Sequence, residues 1–188
     1  MAARTKPAMT PDELTAKMKQ LDGLSINDRI RKLGIKVPKV DLSKPGRLAA
    51  VRFDAETGFL FLSGMTAGQG KVGGNPAVGY VSLDEGFWAG WEVGLQILGR
   101  LKAAIGDFTK VQALLYARVD VNTAPDEGNT PGPGMGFSYL MVLVFGSDIG
   151  FHTRTAVGAQ VPGNAAIEVT TQWKIKKEAR ASLQRAWW

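Results

Sequence analysis

The chain has 188 residues, 45% of them hydrophobic, a mean hydropathy of -0.05 and no cysteine. That is enough chain for one soluble domain with a real core, and it excludes disulfides, thiolate catalysis and cysteine-ligated metal sites. The net charge of +6 invites a nucleic-acid reading, but residues 1–48 carry 11 Lys/Arg against 5 Asp/Glu, residues 174–188 carry 5 against 1, and the middle holds 7 against 11; positive charge confined to the ends reads as solvated tails, not a phosphate-tracking face.

Residues 1–9 read as disordered. Met1-Ala-Ala-Arg-Thr-Lys-Pro7 lacks the apolar core of a signal peptide, and no run approaches the ~18 apolar residues of a spanning helix, so no membrane partner and a cytoplasmic location are expected. Thr10-Pro-Asp-Glu13 places a hydroxyl cap, a proline at the first helical position and a glutamate at the third, which predicts a helix to about Leu21. Ser25 predicts a second helix, Ile26–Leu33, closed by Gly34. Residues 1–44 thus read as a basic extension with short helices, packing on the edge of a domain or on a neighbouring subunit.

After the linker Pro38–Pro45 the pattern turns to strands. Leu48–Phe53 and Phe59–Ser63 flank Asp54-Ala-Glu-Thr-Gly58, a hairpin loop with glycine where positive φ is expected. Gly64 ends the second strand; it is either an ordinary turn glycine or a point where a ligand approaches the backbone. The glycine-rich Gly68–Gly79 has no Lys-Ser/Thr ending and does not directly open a helix, so it does not read as a phosphate cradle. Ser82-Leu-Asp-Glu85 is a capping box and starts the clearest helix, Leu83–Ile105, stopped by Gly106. Phe87, Trp91, Gly94, Leu95, Leu98, Leu101 and Ile105 form one stripe, predicted to cover a sheet.

Val111–Val121 alternates, with Val111, Ala113, Leu115, Ala117, Val119 and Val121 on one face and Gln112, Leu114, Tyr116, Arg118 and Asp120 on the other. The loop Asn122–Gly136, with Pro125, Pro131 and Pro133 among its glycines, reads as irregular. Phe137–Phe145 is apolar nearly all round, a buried second helix or alternatively a strand. His152 has no second ligand near it in sequence, so it reads as structural or supporting and no metal site is expected. Thr155–Val161 and Ala166–Ile175 read as two strands about Pro162-Gly-Asn164. The tail 176–188 is basic and helix-forming in composition.

The order hairpin, helix, strand, helix, two strands predicts an α+β domain over residues 45–175, a mixed sheet with two helices packed on one face. In the last strand Ile167, Val169, Thr171, Trp173 and Ile175 form one row, which puts Glu168 on the other face, while Arg154 stands at the mouth of the strand before it. A guanidinium fixed at a strand end is a two-pronged carboxylate receptor, and a nearby carboxylate can orient water or move a proton. By spacing alone a structural Arg154–Glu168 ion pair is the commoner arrangement.

Arg154-Thr-Ala-Val-Gly158, Val161-Pro-Gly-Asn-Ala-Ala166 and Ile167-Glu-Val169 resemble the closing signature of the reactive-intermediate deaminase (Rid, YjgF-like, L-PSP endoribonuclease-like) family. Phe59-Leu-Phe-Leu-Ser-Gly64 and Leu101-Lys-Ala-Ala-Ile-Gly106 match its strand and helix ends in the right order, and Lys32-Leu-Gly-Ile-Lys-Val-Pro38 is similar to one bacterial branch; the resemblance runs from about Arg29 to Ile175. It implies the chorismate-mutase-like fold, a homotrimer around a central barrel, sites in clefts between subunits, and hydrolysis of enamine or imine acids such as 2-aminoacrylate to the 2-oxo acid and ammonia. On that resemblance Arg154 grips the substrate carboxylate and the backbone at Gly64 and Ala156 helps place it. Glu168 orients the water, Pro162 shapes the pocket wall, and no metal or organic cofactor is needed.

The chain also departs from the family pattern. Leu48-Ala49-Ala50 stands where many members have tyrosine, Met135 or Gly136 where they have asparagine, and Met65 where glutamine follows Ser-Gly. The interval from Arg154 to Pro162 is one residue short. Carboxylate binding survives this comparison better than deamination does, which leaves a non-catalytic trimeric carboxylate-binding or partner protein as the alternative. Met141 and Leu143 would add apolar surface to the cleft.

Overall fold

A computed structural model of the protein describes residues 7–42, 49–74, 80–125 and 127–183. The elements are α1 (Pro11–Gln20), α2 (Ile26–Lys32), β1 (Val51–Asp54), β2 (Phe59–Ala67), α3 (Leu83–Ile105), β3 (Val111–Val121), α4 (Pro131–Phe145), α5 (Ser147–Gly150), β4 (Thr153–Gly158), β5 (Ile167–Ile175) and α6 (Arg180–Leu183). Five strands form one sheet in the order β1-β2-β5-β3-β4, antiparallel throughout except for the parallel pair β3–β4. The long helices α3 and α4 pack on each other and on one face of that sheet. This is the expected α+β class, a mixed sheet with two helices on one side.

The capping residues act as their spacing implies. Glu13 N donates to Thr10 Oγ1 at 3.2 Å and Thr10 N to Glu13 Oε2 at 2.7 Å; at α3 the reciprocal bonds join Ser82 and Glu85 at 3.1 and 2.8 Å. Each pair satisfies two amides at a helix start, where the backbone has no internal partner. The hairpin turn is held by Asp54, whose carboxylate accepts from the amides of Glu56 and Thr57, and Gly58 takes φ +77° there. The side of the sheet under the helices is apolar: Leu60, Leu62, Val119, Val121, Val169, Trp173 and Ile175 are at most 1% exposed.

Several boundaries differ from the sequence expectation. The stretch Asn122–Gly136 is irregular only in its first part, because α4 begins at Pro131. Pro131 sits in the first turn, where a missing amide removes no helical hydrogen bond, and the glycines that look like loop residues are the contact surface with α3. A Cβ on Gly136 would overlap Phe87 O and lie 2.8 Å from Trp91 N, and one on Gly90 would overlap Pro133 O. The two helices therefore meet backbone to backbone, which only glycine permits.

The alternation in β3 is broken by irregularities in its pairing with β5 at Val111/Ala113 and Leu114/Tyr116. Leu114 consequently turns into the core, 1% exposed, while Ala113 and Leu115 do not stay on the buried face. β2 does not stop at Ser63 but runs to Ala67 through a bulge between Leu62 and Met65. β4 lies earlier than Thr155–Val161 and pairs with β3, not with β5. Met141 and Leu143 are 0% exposed and belong to the core, so they line no cleft of this chain.

At the start of the chain, residues 7–9 are not loose: the Ala8 amide donates to Asp84 Oδ1 at 2.9 Å. α1 and α2 pack on α4, Leu21 is 2% exposed, and Arg29 donates from Nη1 to Leu143 O at 3.4 Å and from Nε to Leu24 O at 3.1 Å. The expectations for residues 1–6, for residues 43–48, including Leu48, and for residues 75–79, 126 and 184–188 fall outside the described residues.

Candidate functional site

β4 is an edge strand, and Arg154 stands opposite Ala117 of β3 in the parallel register. Ala117 is fully buried on the helix side, so Arg154 projects to the same side, against the first turns of α4. There its Nη1 donates to Ser138 Oγ at 3.0 Å and approaches Met135 Sδ at 3.6 Å, and Nη2 lies 3.4 Å from Pro131 O. Gly134 makes this possible, because a Cβ on it would be 3.1 Å from Nη1 and 3.3 Å from Cζ.

Among the described residues every partner of this guanidinium is neutral. Among the described residues no carboxylate pairs with it, and burial lowers its pKa from the ordinary arginine value, with Tyr139 acting weakly the other way. It also lies at the N-terminal end of a 15-residue helix, the end that carries partial positive charge. Two positive features share one half-buried place, and an anion would satisfy both.

Beneath the arginine lies the only histidine in the chain. Ser138 Oγ is 3.1 Å from His152 Nε2, and His152 Nδ1 is 2.7 Å from Gly150 O. The ring packs against Phe137 with centroids 5.5 Å apart. Burial lowers the His152 pKa below its usual value; the Gly150 carbonyl opposes this, and the Arg154 charge adds the smallest contribution, in the same direction as burial.

Glu168 is elsewhere. It stands opposite Asp120 of β3 and Thr66 of β2, on the sheet face away from the helices, since Ile167 and Val169 on either side of it are buried beneath them. Arg154 and Glu168 of one chain thus point to opposite faces, and they form no ion pair. What Glu168 does meet is Gly64: a Cβ there would overlap its carboxylate. The bulge in β2 sets this up by adding one residue between Leu62 and Met65. It is pinned from α3, where Arg100 Nη1 donates to Ser63 O at 3.1 Å and Ser63 Oγ at 2.8 Å, and Gln96 Nε2 to Thr66 O at 3.1 Å. On the same face Arg118 and Asp120 form a two-pronged pair at 2.9–3.1 Å, which, with Glu168 adding to it, raises the Arg118 pKa.

The remaining expected residues divide between these two places. Met135 joins Arg154 but lies in the second turn of α4, not at the start of the helix. Ala156 stands two residues along β4, where its carbonyl accepts from Thr130 Oγ1 at 3.2 Å. Because Ala159 N donates to Val121 O at 2.8 Å, the alternation of a parallel pair turns the Ala156 amide toward the open edge. Pro162 is exposed, at the head of the turn between β4 and β5. That turn is held by Asn164, with φ 55°, which accepts from Gly70 N at 2.8 Å through its backbone oxygen and from Asn122 Nδ2 at 3.0 Å through Oδ1. Sequence reasoning missed Ser138; the signal was the one aliphatic hydroxyl in the apolar run Phe137–Phe145.

No protein-family model matches the chain. Over 90 residues it is 37% identical to Protein TCP17 of Trypanosoma cruzi, a stretch covering 47% of this chain and 56% of that protein. The chain thus spans about half the length of the curated relative it matches. A protein of unknown function from Agrobacterium tumefaciens has a solved structure that is 23% identical, covers 87% of this chain and 98% of that one, and superposes with a TM-score of 0.68. A putative endoribonuclease from Shewanella oneidensis is 20% identical, covers 80% of this chain and 99% of that one, and gives a TM-score of 0.70. At these identities the solved structures establish a common fold.

Proposed function

We propose, from the fold shared with these proteins and the resemblance to reactive-intermediate deaminases, that this chain hydrolyses small enamine or imine acids to the 2-oxo acid and ammonia. The observation that carries this reading is the half-buried Arg154 guanidinium, which has neutral partners only and lies against a helix N-terminus. A substrate carboxylate on that guanidinium leaves the adjacent imine carbon open to water. Addition of water gives a carbinolamine, and its collapse transfers a proton to nitrogen and releases ammonia. Holding the carboxylate and placing the water are the whole task, so positioning and a single carboxylate base suffice.

Glu168 is the base in this reading, and its place on the opposite sheet face bears on assembly. One chain cannot bring its own Glu168 to its own Arg154, so the reading requires a site shared between copies, as in the homotrimer that the family resemblance implies. Arg154, Met135 and the Ala156 amide would come from one protomer, and Gly64 with Glu168 from the next.

A second reading, a non-catalytic carboxylate-binding protein, is favoured by Met135. Its thioether lies beside the guanidinium, where the family's asparagine would supply a polar group. The same preparation separates the two. Ammonia release from an amino acid oxidase reaction should accelerate when the protein is added, and Arg154→Ala should abolish the acceleration. Thermal stabilisation by pyruvate without any acceleration selects the second reading. An Arg154→Ala variant as active as the parent removes both.

A further inference from the structure

We propose that Ser138 and His152 are positioning residues for Arg154, joined in a hydrogen-bond chain of fixed direction that holds the guanidinium ready for a carboxylate. This inference rests on Arg154 being the carboxylate receptor. The direction follows from the two ends of the chain. An arginine can only donate, so Ser138 Oγ, 3.0 Å from Nη1, accepts there. A backbone carbonyl can only accept, so His152 Nδ1, 2.7 Å from Gly150 O, carries the hydrogen. In the neutral ring Nε2 is then bare, and the Ser138 hydroxyl has one place for its own hydrogen, that nitrogen 3.1 Å away.

Each group in the run Arg154, Ser138, His152 and Gly150 O is therefore used with the polarity it has. A protonated ring would break this order, because Nε2–H and Nη1–H would then both donate to Ser138 Oγ and the hydroxyl's own hydrogen would lose its acceptor. The surroundings keep the ring neutral. It is half-buried, the edge of Phe137 covers it, and the charge acting on it is the Arg154 cation. From α4 the facing polar group is the Ser138 hydroxyl; the Tyr139 phenol acts on Arg154. The Asp148 carboxylate of α5 is exposed.

The effect of the chain on Arg154 is to remove freedom. A guanidinium at the end of three methylenes on an edge strand would otherwise sample several rotamers, and a misplacement of about 1 Å in a positioning group costs up to about a hundredfold in rate. Ser138 comes from α4 and His152 from the approach to β4, so the chain also ties the helix to the strand.

The test uses pyruvate as probe, with a spectroscopic readout on the single histidine. Ser138→Ala and His152→Leu should each weaken pyruvate binding about tenfold or more. His152→Gln, whose carbonyl can still accept from Ser138, should restore most of it, which a purely space-filling role would not predict, since leucine and glutamine are of similar size. In the parent, ring nitrogen NMR should report hydrogen on Nδ1 and a bare, hydrogen-bonded Nε2, and Ser138→Ala should shift the Nε2 signal.

Folded Ser138→Ala and His152→Leu variants that bind pyruvate as tightly as the parent, while Arg154→Ala does not bind, would overturn the positioning role and leave the receptor standing. A parent that binds no pyruvate removes the receptor reading. The hydrogen-bond chain is then judged by the ring alone, and an Nε2 signal unmoved by Ser138→Ala overturns it.

Discussion

Replacing Gly136 by alanine tests the packing on which the site depends. The new methyl would lie 2.8 Å from both Phe87 C and Trp91 N and closer still to Phe87 O. All three are backbone atoms of α3, so no side-chain rotation can relieve the contact, and α3 and α4 must separate by roughly 1 Å at their crossing, against ordinary carbon contacts of ~3.5–4 Å. Overpacking a core costs ~1–3 kcal/mol, and a backbone collision belongs at the upper end of that range. Alanine in place of glycine within a helix returns about 1 kcal/mol. The net expectation is a loss of about 2 kcal/mol, or about 4–8 °C in melting temperature for a chain of this size.

Denaturant and thermal unfolding of the parent, Gly136→Ala and Gly128→Ala measure it, since a Cβ on Gly128 meets nothing within 4 Å and that control should stay within about 1 kcal/mol of the parent. A Gly136→Ala protein as stable as the parent would refute the backbone-to-backbone crossing.

Thr171→Val should cost ~1–3 kcal/mol in urea unfolding, because Trp173 Nε1 donates to Thr171 Oγ1 at 2.8 Å and both residues are at most 1% exposed; an unchanged midpoint would mean that the indole finds another partner. Stability should fall as pH drops below ~6.5, the unfolded histidine value. There the unfolded chain takes up a proton that folded His152, its pKa lowered by burial, does not, and the decline ends once pH passes below the folded pKa. Urea midpoints at pH 7.5 and 5.5 should show this slope in the parent and lose it in His152→Gln. Gly64→Ala should fold with a stability change under about 0.5 kcal/mol, since the atoms it meets belong to the Glu168 side chain. In the proposed deaminase reading it should lower ammonia release at least tenfold by displacing that carboxylate; full activity would detach Glu168 from the reaction.

The parts of the fold readable in the sequence are those with local causes. Thr10 and Ser82 announce their helices because capping chemistry lies within four residues, and β5 is legible because all of its buried side chains alternate without interruption. The start of α4 was hidden because its glycines and prolines serve a contact with α3, some 40 residues away in sequence, and composition alone cannot separate that use from a loop. The break in β3 was hidden for the same reason: its irregularities are set by pairing with β5, not by residues within β3. Arg154 and Glu168 could be picked out by residue type. Their separation onto two sheet faces follows from register, because Arg154 stands opposite Ala117 and Glu168 opposite Asp120, an odd number of residues apart on β3.

The anchoring of Arg29 near the far end of α4 ties the basic extension to the helix that Arg154 leans on. That helix is fastened near its C-terminus by one arginine, through Leu143 O, and at its beginning by another, through Pro131 O. Removing the amino-terminal segment would therefore unfasten one end of that helix, so in the proposed reading it disturbs the wall beside Arg154 as well as the margin of the fold.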